Sequence, residues 1–444
     1  MFILLYIISV FCLFFVLKKI IYNQNIREII RIIIIFYSAL WLVIPSLITI
    51  LKPEISNLFI PLNVYIIFAC IEIIFATIIL YIFHRYSKKQ KPFEPTRFKN
   101  NNYTLLLSIV ILTIYNFISS ITQGSYLEHN DVSNTTTSLT SLAPFILIFT
   151  SVLYFNVIQI IISKRKIKTL DIISFILILL FIVKDMQSGS RITLLLPIFI
   201  FTLYILYTHT TFLKKGILII SALIFTFISL NIVIYISQNR ANTDKIALKE
   251  IKITNSQNNK SDAYLMELVL KLNSIHDGAV LVTLSGMNFA GLKPYEGSLL
   301  AFVPRALFPN KPIPGSFNNT LTGIPARYTA SLKGLNPEIS NLGISASGIS
   351  IWQLGIPGLI LGGLFNIFNL IFINILLNKT SYYKQLLGFS LLQIPTFILI
   401  NSGDVIIKNW ITILFIYIII VTLLSLVRII KNSKLVLPHQ LPIN

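Results

Sequence analysis

Residues 285–363 read SGMNFAGLKPYEGSLLAFVPRALFPNKPIPGSFNNTLTGIPARYTASLKGLNPEISNLGISASGISIWQLGIPGLILGG. This stretch is polar, cationic and rich in glycine and proline, whereas nearly all of the chain on either side of it is apolar enough to sit in a bilayer. Irregular backbone cannot face lipid, because its N–H and C=O groups find no hydrogen-bond partner there. The stretch therefore predicts a loop on one face of a membrane protein, where we expect the chemistry to take place.

The composition is that of a polytopic membrane protein. Hydrophobic residues make up 55% of the 444 residues, charged residues only 12%, and the mean hydropathy is +0.80. These values match no soluble globular class. The net charge of +20 is spread over short loops between apolar runs, so it does not predict a nucleic-acid partner. Cys12 and Cys70 fall inside apolar runs, and no disulfide framework is expected.

Eleven apolar runs are long enough to cross a bilayer, which predicts an all-α fold with about eleven transmembrane helices. They lie near residues 2–17, 29–51, 62–83, 103–121, 142–163, 169–184, 192–212, 216–236, 349–377, 386–400 and 410–427. The first run begins without a basic segment and has no cleavage site, so we interpret it as a retained helix rather than a signal peptide. No internal repeat is evident, which weakens the hypothesis of a transporter built from duplicated halves.

The distribution of cations between alternate loops predicts the orientation of the chain. One set of loops holds 21 lysines and arginines, at residues 18–31, 85–99, 164–168, 214–215, 379–384 and 428–434. The opposite short loops hold only Lys52, Lys184, Arg191 and Lys408. Because cytoplasmic loops carry the excess of lysine and arginine, the first set is predicted to be cytoplasmic. The amino terminus then lies outside and the carboxyl terminus inside, which agrees with an odd number of helices.

This orientation makes residues 237–348 a long extracytoplasmic connection. It separates about eight helices in residues 1–236 from about three in residues 349–444, and we expect the three parts to form a single functional domain. A connection of this length is expected to contain short helices of its own.

Two short helices are predicted within the connection. Ser261 and Asp262 can cap an amphipathic helix that carries apolar positions from Tyr264 to Ile275. Ser298 can cap a second helix, Leu299–Phe308, which is expected to be kinked at Pro304.

Absent motifs narrow the chemistry. The sequence contains no P-loop, no Asp-x-Asp pair that could hold a nucleotide diphosphate through a metal ion, and no His/Cys cluster with zinc spacing. We therefore expect neither a metal nor a cofactor. Among the 16 acids only Glu72 lies well inside an apolar run, and a hydrogen bond to a Ser, Tyr or Asn of a neighbouring helix explains it more simply than a functional role.

Arginines on the predicted outer face are the first candidates for a binding site. Positive charge on that face opposes the orientation preference, and a guanidinium group binds phosphate oxygens bidentately without ever losing its proton. This chemistry suits a diphosphate. The alternative is contact with lipid headgroups or an ion pair with a loop acid such as Asp185 or Asp244. The arginines are Arg191, Arg240, Arg305 and Arg327, and Lys311 lies in the same proline-rich frame as Arg305.

The same connection offers acids, bases and aromatic rings. His276, next to Asp277, could orient an attacking hydroxyl, or it could be an exposed cap at the carboxyl end of a helix. Glu296 and Glu338 are further candidates for a base. Tyr295 lies near the basic frame and could stack on a sugar ring, although packing or a position in an interfacial aromatic belt is the more ordinary explanation.

Three stretches together resemble the Wzy-type O-antigen polymerases, the oligosaccharide repeat-unit polymerases of bacterial envelopes. They are Ser188-Gly189-Ser190-Arg191 before an apolar helix, the frame VPRALFPNKP at residues 303–312, and WQLGIPG at residues 352–358, through which the loop returns to a glycine-bearing helix. The hydropathy layout is similar over the whole chain. One departure is that members often carry an acid shortly before the return glycine, whereas residues 345–350 contain none.

The resemblance implies a reaction and a location. Such enzymes, in the bacterial inner membrane, use repeat units built on undecaprenyl diphosphate, and transfer the growing chain to the next lipid-linked unit on the outer face. The leaving diphosphate is already anionic, so fixed cations can assist its departure without a metal ion or a nucleotide. In these terms Arg191, Arg240 and Arg305 hold the diphosphates, Lys311 and Arg327 add charge, and His276 is the preferred base, with Glu296 and Glu338 as alternatives.

Other functions stay open at this point. An O-antigen ligase would use the same donor, and a flippase or exporter would favour repeated halves and charges within the membrane spans. A non-catalytic scaffold would not need arginines at the outer ends of helices. If the chain is a polymerase, its expected partners are lipid-linked oligosaccharides, membrane lipid, a repeat-unit flippase and a regulator of chain length.

Overall fold

The computed structural model describes thirteen ranges of the chain, and every structural statement below concerns these ranges. They are residues 1–53, 58–89, 102–122, 143–163, 166–187, 273–285, 290–300, 303, 329, 332–333, 344–379, 381–393 and 401–434. Within them the chain is almost entirely helical and contains no β-strand.

Thirteen α-helices make up the described part of the protein. They are α1 (Phe2–Ile21), α2 (Glu28–Tyr37), α3 (Ile44–Leu51), α4 (Leu62–Lys88), α5 (Asn102–Thr122), α6 (Ala143–Ser163), α7 (Thr169–Gln187), α8 (Ser274–Leu284), α9 (Lys293–Leu299), α10 (Ala346–Leu354), α11 (Ile356–Leu377), α12 (Tyr382–Gln393) and α13 (Gly403–Lys434). A π-helical turn, Ser38–Val43, joins α2 to α3.

Nine of the predicted apolar runs fall wholly or partly on described residues, and those described residues are helical apart from Gly355. Of the run at residues 386–400, only residues 386–393 are described. Within the described ranges, α1, α4 and α11 are long and apolar enough to cross a membrane. The runs near residues 192–212 and 216–236 lie outside the described residues.

The run predicted as one span at residues 349–377 is two helices, so that prediction is wrong. Gly355 separates α10 from α11 with φ 68° and ψ −143°, a backbone conformation that essentially only glycine adopts. Beyond this turn α11 packs back along α10, with Gly358 and Gly362 against Ser350. The two helices therefore form a hairpin, and the short arm of that hairpin begins in the long connection.

The predicted start of a helix at Ser261 and Asp262 and the predicted kink at Pro304 lie outside the described residues. Where the connection is described, its short helices have other bounds than predicted. Asn273 caps α8, so Ile275 opens a helix instead of closing one, and Gly278 lies inside that helix. Ser298 lies in the last turn of α9 rather than at the start of a helix. Pro294 explains this shift, because proline is favoured in the first turn of a helix.

At one end of the bundle, which we call the basic end, the ends of helices that lead into predicted cationic loops lie close together. Asn25 donates to the carbonyl oxygen of Lys88 at the carboxyl end of α4, at 3.2 Å. Arg27 donates from Nε and Nη2 to the carbonyl oxygen of Leu377, at 3.1 and 2.8 Å, and so caps the carboxyl end of α11. Residues 22–27 and the carboxyl ends of α1, α4 and α11 therefore share one end of the bundle.

Candidate functional site

The amino-terminal end of α8 lies at the opposite end of α4 and joins three elements. The Asn273 side chain caps α8 by accepting from the His276 N–H at 3.1 Å. It also accepts from the Tyr65 hydroxyl at 3.1 Å and donates to the Thr49 hydroxyl at 2.9 Å. Because all these groups are buried, the amide fixes α8 against α3 and α4.

His276 lies in the first turn of α8 and is buried, with 3% of its surface exposed. The alternative prediction of an exposed cap at a carboxyl end is therefore wrong. Its Nε2 accepts from the Phe59 N–H at 3.3 Å, and its Nδ1 lies 3.5 Å from the Asp277 carboxylate. Burial lowers the pKa of His276 below its usual value, an effect that the hydrogen bond to Asp277 opposes. The imidazole is thus neutral at pH 7.

Asp277 forms a buried ion pair with Lys333, a residue that the sequence patterns did not single out. The Lys333 ammonium also lies over the Phe59 ring, 5.2 Å from its centroid. Asp277 and Lys333 are 56 positions apart, in a connection without periodicity, so no local signal links them. Lys333 closes a cluster whose other members are His276, Asp277 and Phe59, which we call the His276 cluster.

The backbones of α8 and α10 touch at two glycines. A Cβ on Gly348 would lie 2.6 Å from the Gly278 Cα, closer than real Cβ atoms approach other atoms. The Ser345 N–H donates to the Ser274 carbonyl oxygen at 3.0 Å, so the two helices start side by side and run in the same direction. Glycine at both positions permits this contact.

Glu72 lies where α10 begins. Only 1% of the residue is exposed, and its carboxylate accepts a short hydrogen bond from the Ser347 hydroxyl in the first turn of α10. The predicted hydrogen bond to a serine of a neighbouring helix is confirmed. Glu72 comes from α4, so it places an acid beside residues 345–350, which contain none of their own.

Tyr295 and Glu296 lie on α9, away from His276. Tyr295 is buried against Phe365 and Gly403, so its ring packs inside the protein. Burial and the nearby Asp404 raise the pKa of Tyr295 to about 12, and its hydroxyl has no hydrogen-bond partner among the described residues. It therefore stays protonated and can donate. Glu296 is exposed.

Asp404 is a second buried acid that the sequence patterns did not single out. It lies in the first turn of α13 and accepts from the Gln353 side chain of α10 at 2.6 Å. Asp404 precedes an apolar run, as acids in the first turn of a helix often do. This position is the sequence signal that could have identified it. The contact attaches the α10–α11 hairpin to α13.

Six of the predicted site residues lie outside the described ranges: Arg191, Arg240, Arg305, Lys311, Arg327 and Glu338. His276, Tyr295 and Glu296 are described, and they occupy two places, His276 against the α3–α4 connection and the other two on α9 beside α13. In the described part of the chain no three His, Cys, Asp or Glu side chains are grouped to hold a metal ion.

The His276 cluster can do limited acid–base chemistry as it stands. Both imidazole nitrogens have a neighbour, so His276 can accept a proton only if Nε2 exchanges the Phe59 N–H for a substrate hydroxyl. Asp277 would then stabilise the imidazolium, because Nδ1 faces its carboxylate.

Comparison with models of protein families, with curated proteins and with solved structures finds no match to this chain.

Proposed function

We propose that the protein is a polymerase of the Wzy type, which joins undecaprenyl-diphosphate-linked oligosaccharide repeat units on the outer face of a bacterial inner membrane. The observation that carries this proposal is the basic, proline-framed sequence at residues 303–312. It lies in a connection that contains α8 and the first turn of α10, two helices that pack against α4. A site in such a connection is reached both by lipids from the bilayer and by sugars from outside.

The proposed reaction breaks the bond between the reducing-end sugar of the growing chain and its diphosphate. A hydroxyl of the incoming unit forms the new glycosidic bond and loses its proton to a base, and undecaprenyl diphosphate leaves with the bonding electron pair. Arg191, Arg240 and Arg305 are proposed to hold the diphosphates, with Lys311 and Arg327 adding charge.

His276 is proposed as the base because its imidazole is neutral at pH 7 and lies beside a carboxylate. Glu296, which is exposed, and Glu338 are the alternatives. Tyr295 is not proposed to contact a sugar, because its ring and its hydroxyl are buried against Phe365 and Gly403, as the packing explanation predicted.

The proposal includes a topology of about eleven spans, with the amino terminus outside and the carboxyl terminus in the cytoplasm. The carboxyl ends of α1, α4 and α11, each followed in the sequence by a cationic loop, meet at the basic end. This supports the topology, since loops on one side of a membrane must share one end of the bundle. Reporter fusions after Lys168, Lys215 and Lys384 are expected to report cytoplasm, and fusions within Asn255–Lys260 the outer side. A cytoplasmic signal from the last fusion would contradict the topology.

Complementation of a polymerase-deficient strain tests the function. The wild-type chain should restore a polysaccharide ladder on a gel. Arg305→Lys keeps the charge but loses the bidentate fork, so we expect a strongly shortened ladder at normal protein abundance. Lys89→Gln, at the basic end, is the matched control and should leave the ladder intact. A full ladder from Arg305→Ala at normal abundance would remove Arg305 from the site.

A transporter of lipid-linked oligosaccharides is the second candidate, favoured by one arrangement. Short helices that begin beside each other within a bundle, next to the buried Glu72, are typical of the broken helices around transporter sites. Vesicles distinguish the two: a transporter moves single units between leaflets without lengthening them. A ligase, the third candidate, would give a ladder only when a lipid-A core acceptor is supplied.

A further inference from the structure

A groove runs between α1 and the carboxyl-terminal half of α4, whereas the His276 cluster lies at the amino-terminal end of α4. The volume of the groove is about 440 Å³, within the range of small-molecule sites. Phe11, Phe15 and Val16 line one wall, and Thr77, Ile78 and Tyr81 line the other.

The surface of the groove is almost entirely apolar. The Thr77 hydroxyl donates to the Ile73 carbonyl oxygen at 2.6 Å within its own helix, so it is not available to a ligand. Phe11, Phe15 and Ile78 are all more than half exposed, and so they face the surroundings rather than the core. An occupant must therefore present an apolar chain along the groove.

One end of the groove is strongly cationic. The Lys19 ammonium lies 4.2 Å from the Phe15 ring centroid and 5.8 Å from that of Tyr81, which fixes it at the end of the groove. Arg85 follows Tyr81 by one helical turn, and Lys88 ends α4. Lys19, Arg85 and Lys88 all lie within electrostatic range of the His84 side chain.

None of these three cations has a carboxylate within ion-pair distance in the described part of the chain. Basic residues in the last turn of a helix favour its dipole, and this accounts for one cation at each helix end. It does not account for the combination of three cations at the mouth of an apolar groove, which matches the charge and the shape of an anionic amphiphile.

We propose that the groove between α1 and α4 binds an anionic phospholipid, with an acyl chain against Phe11, Phe15 and Ile78 and the phosphate against Lys19, Arg85 and Lys88. The proposal does not depend on the polymerase function. A bound lipid of this kind would hold α1 to α4 at the basic end, where these two helices finish.

Native mass spectrometry of the purified full-length protein in detergent tests the binding. Phosphatidylglycerol and phosphatidylcholine with the same acyl chains are titrated separately. We expect phosphatidylglycerol to bind the more tightly. Combining Lys19→Gln, Arg85→Gln and Lys88→Gln should weaken phosphatidylglycerol binding at least about tenfold and leave phosphatidylcholine binding unchanged.

The control variant combines Lys166→Gln, Lys379→Gln and Lys384→Gln, three exposed cations outside the groove, of which Lys384 lies in the first turn of α12. It removes the same charge and should bind phosphatidylglycerol as the wild type does. Equal weakening by the two triple variants, or equal binding of the two lipids to the wild type, would overturn the proposal.

Cys12 gives a readout at the groove itself. It lines the groove and is exposed, whereas Cys70 is buried, so an apolar maleimide should react with Cys12 selectively. Phosphatidylglycerol should slow this reaction, and inorganic phosphate, which brings the anion without the chain, should not. An unchanged rate with phosphatidylglycerol, or protection by phosphate alone, would also overturn the proposal.

Discussion

Glu72 shows how a single residue sets the packing at the centre of the bundle. A buried carboxyl group without partners would destabilise the protein by several kcal/mol. Here it accepts from the Ser347 hydroxyl at the amino-terminal end of α10, where unpaired N–H groups and the helix dipole favour an acid. The contact fixes the short arm of the hairpin against α4.

Removing either partner of this contact should therefore lower stability, and removing both should cost less than the sum. Ser347→Ala is expected to cost about 1–3 kcal/mol, with Glu72→Gln in a similar range, and the double variant should show a coupling of about 1 kcal/mol. Thermal unfolding in detergent gives these differences. Ser108→Ala is the matched control, because the buried Ser108 hydroxyl donates to Thr104 within its own helix. Strict additivity of the two substitutions would contradict the contact.

His276 should make stability depend on pH. Burial places its folded-state pKa below the value of about 6.5 that an exposed imidazole has. Between these two values the unfolded chain binds more protons, so the contribution of the neutral imidazole is fully present above pH 6.5 and is lost as the pH falls toward the folded-state pKa.

The unfolding temperature should accordingly fall between pH 7.5 and pH 5, and His276→Gln should reduce that fall. His439→Gln, which removes an imidazole near the carboxyl end of the chain, is the comparison. An equal pH dependence of the wild type and the His276→Gln variant would show that protonation of His276 does not affect folding.

The sequence indicated which individual residues need a partner, but it did not indicate which residue the partner is. Glu72 was recognisable because an acid inside an apolar run needs a partner, although nothing in the sequence indicated that the partner is Ser347, 275 positions away. The ion pair of Asp277 with Lys333 was missed for the same reason. His276 was expected near a helix end, and its burial depends on packing against Phe59 that no local pattern encodes.

At the scale of elements, hydropathy located the helices but not their breaks. The residues around Gly355 are apolar on both sides, so a hydropathy profile continues across a turn that reverses the chain. The turn depends on one backbone conformation, with φ 68° and ψ −143°. The glycines and prolines near this position indicate a break in the helix. Only the backbone angles show that the break is a hairpin rather than a kink.

Gly355→Ala should consequently disturb the α10–α11 hairpin. A side chain in this conformation costs about 1–3 kcal/mol, and the thermal unfolding temperature in detergent should fall by a corresponding amount. Ile356→Ala, at the neighbouring residue with 74% of its surface exposed, should change it little. If both variants unfold at the wild-type temperature, the turn at Gly355 is not formed as described.

For the whole molecule, the two ends of the bundle have different chemistry. The basic end joins helix ends through Asn25 and Arg27, whereas the other end of α4 holds buried polar side chains around Asn273 and His276. The positions of lysine and arginine along the sequence predicted that the ends of α1, α4 and α11 lie on the same side of the bundle. This prediction needs only the composition of the loops that follow these helices. Charge distribution could not predict that α8 packs against α10, which depends on the contact of Gly278 with Gly348.

Polymerisation by the purified protein tests the proposed function most directly. Full-length protein in lipid vesicles is given undecaprenyl-diphosphate-linked repeat units, with a chelator and without nucleotide, and the products are separated by length. The account predicts a ladder of products, and a rate that falls about 30- to 1000-fold in Arg305→Lys, the loss expected for a charge-assisted contact that strengthens as the diphosphate leaves. Movement of single units between leaflets with no lengthening, or a strict need for nucleotide, would contradict it.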